Sequence, residues 1–168
     1  MLAVGIPDYR LPKDVLEAEI NHIKSAGVKI MLDTALGKDF TLQDLRNEGF
    51  EAVFIAVGAH KDLKLGIPGE EFEGVFSAID FLKRLKLGKD LKTGKRVAVI
   101  GGGNAAVDAA RTALRIGASE VHVFYRRSCE EMPAQEEEAK DAMDEGVKFH
   151  FYTIPVEIFG KGEKVEKM

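Results

Sequence analysis

The spacing of apolar positions changes several times along the chain, and each change marks an element. After Pro12, Val15, Leu16, Ile20 and Ile23 fall at amphipathic helical spacing, with Gly27 just past the end. Val28 to Leu32 reads as a strand. Thr41 is placed to cap a short helix carrying Leu42 and Leu45. Ala52-Val53-Phe54-Ile55-Ala56-Val57 reads as a buried strand that Gly58-Ala59 ends. His60 to Phe72 then reads as a connector, with Gly66-Ile67-Pro68-Gly69 as its rigid turn. Ser77 is placed to cap a helix to about Leu87, whose Ala78, Phe81, Leu82 and Leu85 form a buried stripe. Lys89 to Lys95 reads as a solvated basic turn.

Two short apolar runs follow, Val97 to Ile100 and Val121 to Tyr125, with a helical stretch between them to about Ile116 and Gly117 placed to end it. Farther on, Pro133 is placed to start a helix in which Glu136, Glu137 and Glu138 favour the dipole. Val147 to Ile154 alternates as a half-exposed strand does. Val156 to Phe159 reads as one more strand, followed by a Gly160-Lys161-Gly162 turn and a return strand.

The strand, helix and strand from Val97 to Tyr125 form a βαβ unit, and its first turn carries chemistry. Gly101-Gly102-Gly103-Asn104-Ala105-Ala106 fits the pattern G-x-G-x-x-G/A. Gly101 permits the tight turn, Gly103 lets backbone approach a pyrophosphate, and Ala106 is small enough for the helix to pack on the strand. The N–H groups near Asn104 and Ala105 would then face a diphosphate at the favourable end of the helix dipole.

The end of the second strand bears on which dinucleotide is bound. NAD and FAD sites place a carboxylate there for the ribose hydroxyl. This chain has Arg126 and Arg127 at that point and no carboxylate until Glu130. Two guanidiniums suit a 2′-phosphate, which points to NADP(H). The plainer alternative is a solvated arginine pair.

Composition narrows the remaining classes. At 168 residues, 45% hydrophobic and 31% charged, the chain is an ordinary globular protein of one good-sized domain or two small ones. A net charge of −4 gives no general attraction to nucleic acid or anionic membrane. No apolar run approaches the roughly eighteen residues of a membrane span. The start, Met1-Leu2-Ala3-Val4, lacks a basic leader region, and a cytoplasmic setting is expected. The single cysteine, Cys129, excludes an internal disulfide, a Cys-x-x-Cys pair or a cysteine-ligated iron–sulfur cluster within these residues. No metal site or catalytic side chain is assigned: none of His22, His60, His122 and His150 has a nearby Ser or Cys suggesting a triad.

Four longer stretches carry a resemblance. GIPDYRLPKDVLEAEI, FEAVFIAVGAHKDLKLGIPGE, VAVIGGGNAAVDAARTALRIGA and YRRSCEEMPAQEEE closely resemble the small (beta) subunit of NADPH-dependent glutamate synthase. Related motifs occur in the large subunit of NADH-dependent ferredoxin:NADP oxidoreductase and in the flavin section of dihydropyrimidine dehydrogenase. The resemblance implies an α/β architecture of two interleaved dinucleotide-binding domains, an FAD domain interrupted by an NAD(P)H domain. It also implies that hydride passes from NADPH to FAD and that electrons leave through iron–sulfur clusters to a partner subunit.

On this mapping residues 1–60 are a partial FAD-domain segment, 61–74 a connector and 75–168 an incomplete NAD(P)H-binding Rossmann domain. Ala56 and Gly58 match a crossover strand near the flavin. The family's FAD glycine motif would lie before Met1 and its last FAD segment after Met168. The resemblance is thus to a central section, not expected to hold FAD tightly by itself. Expected partners are the rest of a flavoprotein or an iron–sulfur or amidotransferase-type subunit, with a homodimer through exposed strand edges. The rival readings are a non-catalytic nucleotide-binding module and an inactive fragment.

Overall fold

The structure, a computed structural model, describes residues 1–59, 63–89, 91, 93–162 and 164–167. His60, the expected boundary at 60/61, Asp90 and Lys92 of the basic turn, and Glu163 of the last hairpin lie outside the described residues. The chain packs as two units, one of Met1–Leu11 with Lys61–Met168, the other of Pro12–His60.

In the larger unit, Ser77 caps helix α3 (Ala78–Lys86), its Oγ accepting the Asp80 N–H at 3.1 Å. Strand β1 (Arg96–Ile100), helix α4 (Asn104–Arg115) and strand β2 (Glu120–Phe124) form the expected βαβ unit. Helix α5 (Glu136–Asp144) and strand β3 (Lys148–His150) extend it. The sheet is parallel in the order β1-β2-β3, pairing Ile100 with Phe124 and Phe124 with His150. The α/β fold with a parallel sheet is therefore as the sequence predicts.

Alternation along β2 decides what each sheet face meets. Val121 and Val123 are fully buried against Val107, Ala110 and Ala113 of α4, Ala142 of α5, and Phe81 and Leu82 of α3. His122 and Phe124 take the other face, where the Phe124 and His150 rings stack 4.8 Å apart. His122 Nδ1 and His150 Nε2 lie 2.8 Å apart, so one ring donates to the other.

Three expected elements shift. The strand expected over Val147 to Ile154 stops at His150, because the chain turns through Tyr152, a non-glycine residue at φ 54°. The strand expected at Val156 to Phe159 forms later, as β4 (Phe159–Lys161), paired antiparallel with β5 (Lys164–Lys167). Pro133 precedes α5 and does not start it. The Ala134 N–H donates to the Gly102 carbonyl at 3.0 Å, which delays the helix until Gln135 is its N-cap.

In the smaller unit, α1 (Lys13–Ser25) begins after Pro12, and α2 (Leu42–Asn47) starts from a capping box. The Thr41 hydroxyl accepts the Asp44 N–H at 3.2 Å, and Asp44 Oδ2 accepts the Thr41 N–H at 2.8 Å. The strands expected at 28–32 and 52–57 do not form. An apolar run becomes a buried parallel strand only where neighbours supply a ladder and cover both faces. Here Phe54 is 92% exposed, and Met31, Leu32 and Ile55 are exposed as well.

Residues 1–11 belong to the larger unit through α4. The Tyr9 ring lies under the Arg111 and Arg115 guanidiniums, at 4.7 and 4.1 Å. Arg10 pairs with Asp108 at 2.8 Å and Glu138 at 3.0 Å. Buried Arg111 reaches Glu138 at 2.6 Å, Asp141 at 3.2 Å and Glu145 at 2.7 Å.

Two predictions follow from this cluster. Arg111→Ala leaves three carboxylates short of their partner and should lower unfolding free energy by about 2–4 kcal/mol in urea titration. Unchanged stability would show that water serves these carboxylates as well. Burial, followed by the nearby Asp108 carboxylate, pushes the Tyr9 phenol up to about 12. A phenol raised above its unfolded value stabilises the fold fully below that value, and the contribution is lost as pH climbs toward 12. Absorbance titration of the tyrosinates should show one late group that Tyr9→Phe removes.

Candidate dinucleotide-binding site

The site begins where β1 ends. Gly101 donates its N–H to the Phe124 carbonyl at 3.0 Å and turns the chain at φ 126°, a conformation that favours glycine. Gly102 is fixed by packing: a Cβ there would meet the Tyr125 ring at 2.7 Å. Gly103 is the N-cap of α4 and provides no side-chain cap. Nothing lies within 4 Å of where its Cβ would be. The first-turn N–H groups at Asn104 and Ala105 therefore sit beside an open backbone surface at the positive end of the helix dipole. Ala106 is buried, its Cβ 3.6 Å from the place a Cβ on Gly101 would take. The geometry fits a dinucleotide diphosphate.

Arg126 and Arg127 leave the same end of the sheet, two and three residues past Phe124, the register partner of Ile100. Both are exposed. Arg127 Nη1 lies 3.9 Å from Glu131 Oε1, while Arg126 has no ion pair among the described residues. Their backbone is anchored on the β3 side, where the Tyr152 N–H donates to the Arg127 carbonyl at 3.2 Å and Thr153 to Tyr125 at 3.0 Å. Cys129 is an exposed free thiol in the same loop.

Several residues here were not legible as site components. Tyr125 packs on Gly102 and donates its hydroxyl hydrogen to the Glu131 carbonyl at 2.8 Å. Asn104 was expected through its backbone alone, yet its Oδ1 accepts the Gln135 N–H at 3.0 Å. Asp108, one helical turn into α4, is buried, and its Oδ1 has no hydrogen-bond partner. Burial raises its carboxyl pKa, although the Arg10 guanidinium opposes the shift. A cavity of about 270 Å³ lies here, lined by Ile6, Arg10, Leu82, Asn104, Ala105 and Asp108. The quoted stretch GIPDYRLP was the only sequence signal for this wall.

Ala56 and Gly58 belong to the other unit, in a stretch that forms no strand, with Gly58 at φ 70°. Among its described residues that unit has no strand-turn-helix of the kind that cradles a dinucleotide diphosphate. Among the described residues no group of three His, Cys, Asp or Glu is placed to hold a metal ion. No helix among them is long and apolar enough to cross a membrane.

Comparison with known proteins finds relatives along most of the chain. The chain is 47% identical over its whole length to the NADP(+)-dependent formate dehydrogenase subunit beta of Moorella thermoacetica, covering 24% of that protein. It is 45% identical, over 94% of its length, to the NADPH-Fe(3+) oxidoreductase subunit beta of Geobacter sulfurreducens, again covering 24% of the relative. The glutamate synthase [NADPH] small chain of Escherichia coli is 36% identical over 97% of this chain and is covered to 37%, so the resemblance read from the motifs holds. The chain thus spans about a quarter of the first two relatives. A solved 2-naphthoyl-CoA reductase shares the fold, with a TM-score of 0.66 over 98% of this chain and 24% of that one, at 21% identity. The pyridine nucleotide-disulphide oxidoreductase family profile matches residues 5–168, and the chain belongs to that family.

Proposed function

We propose that this chain is the NADP(H)-binding section of an NADPH-dependent flavin oxidoreductase of the glutamate synthase small-subunit kind. The observation that carries the reading is the open, uncapped start of α4 at the same sheet end as two exposed arginines. NADPH supplies the hydride when bound. The glycine turn and the Asn104 and Ala105 N–H groups hold its diphosphate, and Arg126 and Arg127 hold the 2′-phosphate. In a longer cytoplasmic protein, FAD held by residues outside this chain would accept that hydride, and a partner subunit would take the electrons. The relatives are themselves named as subunits or a small chain, which supports that setting. Ala56 and Gly58 would border the flavin there.

Cofactor-fluorescence titration tests the reading. The chain should bind NADPH saturably and NADH much more weakly. Arg126→Ala should weaken NADPH about tenfold to a hundredfold, because a charge-assisted bond is lost, and change NADH by less than about twofold. Arg127→Ala should cost less, since that guanidinium already faces Glu131. Equal affinity for the two nucleotides would remove the NADP assignment. We expect bound NADPH to keep its absorbance, because no FAD-type glycine turn lies in the described residues of the smaller unit; oxidation by the chain alone would contradict this.

The exposed apolar side chains of 28–32 and 53–55 support a covering partner, and a second copy serves when the chain is alone. Light scattering should then give a dimer mass. A monomer at high concentration would reject self-association.

A further inference from the structure

We propose that Asn104 is a positioning residue for nucleotide selectivity, tying the diphosphate-binding turn to the loop that carries Arg126 and Arg127. The inference rests on the NADP(H) reading above. A diphosphate and a 2′-phosphate are joined covalently in one ligand, so both are met at once only if the two protein segments keep a fixed separation. Arg126 to Gln135 is an irregular connection between β2 and α5, and two exposed arginines on a free loop of that length would lose much conformational freedom on binding.

The loop is held at three places. On the β3 side, the backbone bonds of Tyr152 and Thr153 fix its start. In the middle, Glu131 gathers it: its carbonyl accepts from the Tyr125 hydroxyl at 2.8 Å, and its Oε2 accepts the Ser128 N–H at 3.2 Å. At the far end, the Ala134 N–H reaches the Gly102 carbonyl and the Gln135 N–H reaches Asn104 Oδ1, each at 3.0 Å. Among the described residues this last pair hydrogen-bonds the loop directly to the glycine turn and the first residue of α4, where the Tyr125 ring also packs on Gly102.

The Asn104 bond is the one of these two that a side chain controls. Asparagine at a helix start commonly caps its own helix. Here α4 has no side-chain cap, and the Asn104 oxygen serves instead the N-cap residue of α5. Loss of that oxygen leaves the diphosphate N–H groups in place and removes one of the two bonds that hold the end of the arginine loop. The consequence falls on the nucleotide that has a 2′-phosphate. NADH, which makes no use of the loop arginines, is largely unaffected.

The test compares the wild-type chain with Asn104→Ala and Asn104→Asp, titrated with NADPH and with NADH, together with amide hydrogen exchange at Gln135. Asn104→Ala should weaken NADPH about fivefold to tenfold more than it weakens NADH, and should speed exchange at the Gln135 amide. Asn104→Asp keeps an acceptor. Its charge weakens both nucleotides, but the NADPH-to-NADH ratio and the Gln135 protection should stay as in the wild type. Equal losses for the two nucleotides in Asn104→Ala, or an unchanged Gln135 amide in a wild type that discriminates, would overturn the tether alone. A wild type that binds neither nucleotide, or both equally, would overturn the functional reading and this role with it.

Discussion

The fully buried face of helix α4 is made of side chains no larger than valine, and the rest of the larger unit takes its position from that seat. Val107, Ala110 and Ala113 are fully buried against Val121 and Val123. A longer side chain at any of them would lift the helix from the strands, because interiors close-packed like these have no slack to absorb it. The two residues between Ile100 and Gly103 leave the turn no freedom to compensate. The position of the α4 N-terminus at the sheet end is therefore a consequence of small-residue packing, and the open surface at Gly103 is its functional result.

The opposite side of α4 is organised by charge. Asp108, Arg111 and Arg115 meet Tyr9 and Arg10 on one side and Glu138, Asp141 and Glu145 of α5 on the other. Those three acids recur at three- and four-residue spacing and so share one helix face. Burial raises the Glu145 carboxyl pKa, but hydrogen bonds and charge from Arg111 and Arg115 outweigh it and leave the group below its ordinary range. Desolvating so many charges limits the net gain in stability. Geometric definition is the clearer benefit: an apolar contact would let α5 slide, whereas Arg111 has three acceptors in fixed places.

Much of this was legible in the chain. The short apolar runs and helical spacing from Ser77 to Phe124 gave α3, β1, α4 and β2 nearly to the residue, because each element buries its apolar side against a neighbour present in the same unit. The runs at 28–32 and 52–57 misled for the converse reason. Apolarity records that a segment is suited to burial, and a strand forms only when something nearby supplies the ladder. In the site, the glycine spacing located the turn. Spacing could not show that Gly102 is held by an aromatic ring 23 positions later, or that Asn104 bonds 31 residues away. The acids of α5 were read as dipole partners of their own helix, and Glu138 also serves Arg10 and Arg111. Contacts between residues far apart in sequence leave no periodic trace.

The division of labour within the site follows from these constraints. On the proposed reading, the diphosphate would be met by backbone N–H groups whose position is set by helix packing, a rigid arrangement indifferent to which dinucleotide is bound. On the proposed reading, discrimination at the 2′-position falls to Arg126 and Arg127, which stand on a loop. A loop alone is a poor place for a selective contact, because ordering it on binding offsets what the contact contributes. The chain resolves the conflict by fastening the loop to the rigid part at both ends, through β3 on one side and through the glycine turn and Asn104 on the other. Selectivity of the proposed kind would depend as much on the neutral groups that hold the arginines as on the arginines themselves.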